Sequence, residues 1–188
     1  MSTPSMRSRL KFNRPSLRRN ARPPRQRTPL GAEFTAANLA SSLSMQVCRD
    51  CNSVQYPPRE VCAECLGDEL RWQDVNTAGS LLVSVDLHHS MWEFFKRRVK
   101  DAPWPVATVR LDCGVTVFAH VALASFESAS ADDIALTTRV KVFSHTDASR
   151  NSVLIAVADG IDIATSEQRL AIATDMGLTK IAIREDGI

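Results

Sequence analysis

The sequence predicts a mainly β chain: a short N-terminal helix, a zinc ribbon, five further strands and a C-terminal extension. Three observations carry that expectation. Four of the five cysteines fall in two Cys-x-x-Cys pairs, Cys48 with Cys51 and Cys62 with Cys65, ten residues apart. After Gly79 the chain turns into short runs rich in β-branched residues. The basic charge is confined to one end, since residues 1–28 hold nine Arg or Lys and no acid, leaving 14 basic against 21 acidic groups in the remainder. The formal charge of +2 therefore sums two unlike parts.

Residues 1–31 contain five of the nine prolines and too few large apolar side chains to offset the entropy of ordering, so they read as a disordered basic arm. A transit peptide, an electrostatic arm for polyanions and a merely solvated extension are all open to such a composition. Residues 32–45, AEFTAANLASSLSM, place Phe34, Leu39, Leu43 and Met45 at near-helical spacing and predict a short packing helix.

Residues 46–74 carry the ribbon. Each Cys-x-x-Cys can bend as a knuckle that turns two thiolates toward one ion, and two knuckles complete a closed tetrahedral site. Four soft thiolates with no open position suit one structural zinc ion, iron being the other metal that takes such a set. The paired spacing argues against disulfides, and the basic start is not followed by an apolar stretch that would make a secretory leader, so a reducing cytoplasm is expected.

Residues 75–160 hold the five strands: 80–87, 105–111, 115–123, 139–145 and 153–158. Asp112-Cys113-Gly114 joins the second and third in a tight hairpin, Gly114 supplying left-handed backbone. Between the first and second lies an insertion, residues 88–104, with a helix over 91–100 halted by Ala102-Pro103. The insertion sets Trp92, Phe94, Phe95 and Trp104 beside Lys96, Arg97, Arg98 and Lys100. Such a cluster can grip a phosphorylated ligand, dock a protein, or simply cap the strands while its cations face water. Residues 161–188 form an extension, helical over 165–176 and ended by Gly177.

The longest apolar run is the six residues 153–158, far short of the roughly 20 a spanning helix needs. Paired carboxylates, a Ser-His-Asp order, a phosphate-binding loop and a Gly-rich dinucleotide fingerprint are all missing from the sequence. Cys113 could act as a nucleophile only with a base such as His120 brought across the hairpin; a lone cysteine more often packs as a small hydrophobe. His88 and His89 point to opposite faces of an extended segment and do not suit shared metal ligation. The chain is expected to be no enzyme.

The order of these features, with Tyr56-Pro57-Pro58-Arg59 between the cysteine pairs, Trp72 after the last knuckle and Gly79 opening the strands, resembles the family catalogued as domain of unknown function 35 (DUF35). The resemblance covers about residues 33–160. It implies a rubredoxin-like zinc ribbon followed by a five-stranded OB-fold barrel, in an accessory subunit of lipid metabolism. Such a subunit docks on a thiolase, aldolase or acyl-CoA hydratase partner and helps hold or pass the acyl-CoA thioester, with Lys96, Arg97, Arg98 and Lys100 as phosphate contacts. Thr137-Thr138 departs from the pattern, where members often have a glycine before the fourth strand. The alternative is a single-stranded nucleic-acid-binding OB-fold module, which fits poorly because the predicted strands carry only Phe118 and Phe143 and the chain beyond the arm is net −7.

Overall fold

A computed structural model of the chain describes residues 28–90, 96, 99–100, 102–147 and 150–179. The first helix, α1, spans Pro29–Ala37. Thr28 caps it by accepting from the Gly31 amide, and Pro29 at the first helical position needs no hydrogen-bond donor there. The helix stops where Asn38 turns its side chain back onto the chain. Its Nδ2 donates to the carbonyls of Phe34 and Ser44, at 2.9 and 3.0 Å, while its Oδ1 accepts from the Ser44 amide at 2.8 Å. The helix expected over 32–45 is thus displaced. It begins in what read as arm, Leu39 beyond it is 69% exposed, and residues from Ser44 onward are strand.

Three short strands follow: β1 (Ser44–Cys48), β2 (Val54–Gln55) and β3 (Leu70–Asp74), an antiparallel sheet in the order β2-β1-β3. Every residue of β1 is buried, because this central strand packs against α1 and the barrel beyond. Five strands close that barrel: β4 (Ala78–Leu87), β5 (Trp104–Leu111), β6 (Thr116–Val121), β7 (Arg139–Thr146) and β8 (Ser152–Ala158). Their order is β4-β5-β6-β8-β7 with β7 returning to β4; β6 and β8 run parallel and all other pairs antiparallel. This is the OB-fold arrangement. A bulge between Leu81 and Val83 lets the long strand β4 bend, so that its first residues pair with β7 while its length pairs with β5. Gly79 sits where β4 crowds β5: a Cβ there would lie 2.6 Å from the Arg110 carbonyl oxygen.

Alternation along the strands sends Leu81, Val109, Val117, Val142 and Ala156 inward. Leu43 and Met45 from β1 and Phe34 from α1 join the same cluster, so ribbon, helix and barrel share one core. A second cluster lies outside the barrel. Phe143 and Ile155 are paired neighbours facing outward, yet neither is exposed, because Ile163, Ala173 and Leu178 cover them. The cover comes from α2 (Ser166–Asp175) and its flanks. Thr165 and Gln168 start α2 with a reciprocal capping box, and Gly177 at φ 69° follows its end.

Candidate functional site

The two knuckles are built alike. In the first, the Cys48 amide donates to the Ser53 carbonyl and the Asn52 amide to the Cys48 carbonyl; in the second, Cys62 donates to Gly67 and Leu66 to Cys62. Asn52 and Leu66 occupy equivalent places and both have left-handed backbone, φ 57° and 63°. β1 delivers Cys48, the loop to β2 delivers Cys51, and the loop before β3 delivers Cys62 and Cys65. Two Sγ pairs, Cys48 with Cys65 and Cys51 with Cys62, stand 3.6 Å apart, and all four sulfurs lie within 4.8 Å of one another.

The donor set fits one dication. Without a cation, the Ser53 hydroxyl, 3.1 Å from the sulfurs of both Cys51 and Cys62, holds the Cys62 thiol down at about 6. Cys65 goes the other way: the Gly67 amide favours its thiolate, but the neighbouring Cys51 and Cys48 sulfurs outweigh that and push it up to about 12. Four thiolates cannot crowd together unless a cation binds them, and zinc supplies that charge. The four cysteines form a rubredoxin-like site for one structural zinc. Closed by four protein ligands, it holds the fold and offers no open position for substrate.

Ser53 is a contact that the sequence reasoning missed; a hydroxyl two residues after a knuckle cysteine was the available signal. The buried glutamines of the ribbon were missed as well. Gln46 Oε1 accepts from Gln55 Nε2 at 2.9 Å and from the Arg59 amide at 2.8 Å, while Gln55 Oε1 accepts from the Ala63 amide at 3.0 Å. These bonds tie the Pro57-Pro58-Arg59 turn and the second knuckle to β1. Phe34 packs its ring on Tyr56 and Trp72, at centroid distances of 5.8 and 6.0 Å, which fixes α1 to the ribbon through two of the aromatics that the sequence singled out.

The expected aromatic and basic cluster is only partly described. Trp92, Phe94, Phe95, Arg97 and Arg98 lie outside the described residues, and so does most of the helix expected over 91–100; Lys96 and Lys100 are described and exposed. Trp104 belongs to β5 rather than to the insertion. Its indole Nε1 donates to Nδ1 of the buried His120 at 2.9 Å. That engagement, and the register, separate His120 from Cys113: the hairpin turn lies beyond the Arg110–Thr116 pair, whereas His120 pairs with Val106 four residues farther along, roughly 13 Å of strand. The Cys113–His120 pairing is therefore overturned. His88 and His89 are exposed beyond β4.

Trp104 also lines a cavity of about 640 Å³ between the barrel and the C-terminal segment. Its walls come from residues 102–105, the end of β6 with the 3-10 turn Leu123–Phe126, and Ile161, Ile172 and Met176. They are apolar except for Ser125 and Asp175. Of the two aromatics expected on barrel strands, Phe143 lies beneath the C-terminal segment and Phe118 is 48% exposed, so only one of the two presents a face on which a nucleic-acid base could stack.

Residues 41–71 match the family described as ChsH2, rubredoxin-like zinc ribbon domain. The fold matches a chain of the solved structure described as Ltp2-ChsH2(DUF35) aldolase, with a TM-score of 0.52 and 19% identity over 76% of this chain and 97% of that one. The ribbon is thus of the ChsH2 type, and the fold is similar to that of a DUF35 chain. No curated protein matches it in sequence. The departure at Thr137 is one of residue type, not of backbone: Thr137 holds φ 65°, the geometry a glycine takes there without strain, and its amide donates to the Leu81 carbonyl at 2.8 Å. No helix among the described residues is long and apolar enough to cross a membrane.

Proposed function

We propose that the chain is a non-catalytic accessory subunit that docks on a thiolase-superfamily enzyme (thiolase or aldolase) or an acyl-CoA hydratase and helps bind or channel the acyl-CoA thioester. The observation that carries this reading is the combination of a ChsH2-type ribbon with an OB barrel, in a fold matching 97% of a chain from a solved Ltp2-ChsH2(DUF35) aldolase. The metal site supports it from the side of chemistry, since a four-thiolate zinc has no vacant position for Lewis-acid work. Cys113 has no base beside it in His120, so the described residues offer no nucleophile and base pair from that hairpin.

In this picture zinc pins the ribbon, the ribbon and α1 present a rigid docking face, and the insertion of residues 88–103 reaches the ligand. Lys96, Arg97, Arg98 and Lys100 would meet the phosphates of CoA, and the setting is the cytoplasm. The test compares turnover of an acyl-CoA substrate by a thiolase-superfamily or hydratase partner with and without this chain, and by this chain alone. The proposal expects the chain alone to be inert and to lower the partner's KM. Turnover by the isolated chain, or a partner indifferent to it, would overturn the reading.

A further inference from the structure

We infer that the cavity between the barrel and α2 is a binding site for the apolar tail of an anionic amphiphile; on the proposed function, this tail is the acyl chain of the thioester. A volume of about 640 Å³ falls within the roughly 300–1,000 Å³ of small-molecule sites. Leu123, Ile161, Ile172, Met176 and Trp104 are only half-buried there, so each has apolar surface that a ligand would remove from water.

Charge selects the ligand's other end. Asp175 is the ionisable group in the lining, and a carboxylate beside an apolar wall repels an anionic head from the interior. Lys100 stands exposed two residues before Ala102, which forms part of the wall, so the two Cα atoms are within about 7 Å of each other. Lys100 is therefore within reach of an anionic head whose tail enters the cavity. A short polar metabolite would leave the apolar walls unused, and a neutral lipid would leave the cation unused.

A free fatty acid and an acyl thioester of a phosphorylated carrier share this chemistry, and calorimetric titration of the full-length zinc-bound chain separates them. The probes are decanoyl-CoA, CoA and decanoate. Decanoyl-CoA is expected to bind at least about tenfold more tightly than CoA, because several methylenes leave water. Decanoate binding more tightly than the thioester would assign the site to fatty acids.

Ala124→Trp and Ala102→Trp, at exposed positions on different walls, each fill the cavity without touching the buried core. Each should weaken decanoyl-CoA by about tenfold or more while leaving CoA unaffected. Zinc content and thermal melting report whether a variant folds, and if one does not, the other decides. Equal affinities for CoA and decanoyl-CoA, no binding of any probe, or wild-type affinity in the folded variants would overturn the assignment. A partner complex that still forms after such a result leaves the accessory role standing, and tail binding without any partner leaves the cavity standing.

Discussion

Phe34→Ala tests whether helix, ribbon and barrel form one folding unit. The Phe34 ring is 5% exposed, contacts Tyr56 and Trp72, and belongs to the same cluster as Leu43, Met45 and the inward barrel residues. Truncating a buried phenylalanine costs about 3–5 kcal/mol from lost transfer energy and the remaining cavity. For a chain of this length each kcal/mol corresponds to about 2–4 °C, so the expected fall in melting temperature is on the order of 10 °C. Differential scanning calorimetry would give the melting temperature, and Trp72 emission would report local exposure. The reasoning requires one transition that moves as a whole. A loss under about 1 kcal/mol, or a separate low-temperature step that leaves the barrel's melting unchanged, would refute the shared core.

Thr137→Gly should stabilise the protein by about 1 kcal/mol, since relief of left-handed strain in a β-branched residue exceeds the extra entropy that glycine loses on folding; urea unfolding showing a destabilised variant would contradict it. Cys48→Ser combined with Cys62→Ser should leave fewer than about half a zinc per chain by elemental analysis and abolish cooperative melting, while full occupancy would remove these thiolates from the site. Acid should weaken the barrel through Asp112, whose carboxyl is held below its usual range by the Arg139 guanidinium through bonds of 2.7 and 2.8 Å. A depressed carboxyl pKa gives stability that is present above the unfolded value and lost as pH falls through the folded one, so Asp112→Asn should flatten the stability profile below about pH 4. An unaltered acid limb would show that the pair contributes nothing.

Zinc ligation was legible because ligand spacing is a local property: two Cys-x-x-Cys pairs need no knowledge of the rest of the fold. The five barrel strands were legible from their β-branched runs, and Gly114, at φ 96°, closes its hairpin as read. Their closure rests on long-range pairing, above all the parallel contact of β6 with β8, which periodicity does not encode. The first helix was misplaced because Asn38, a helix stop with three hydrogen bonds, looked like an interior residue of a longer apolar pattern. The packing of α2 on the barrel did leave a trace: residues 153–158 are apolar without alternation, the mark of a strand buried on both faces. The cavity left no such trace, because its walls come from segments up to about 70 residues apart in the chain.

Native mass spectrometry of the chain co-expressed with a thiolase-superfamily or hydratase partner tests the central claim most directly. The accessory-subunit account predicts one assembly containing both proteins, with one zinc for each copy of this chain. Two separate species, with this chain zinc-bound but unassociated, would contradict it.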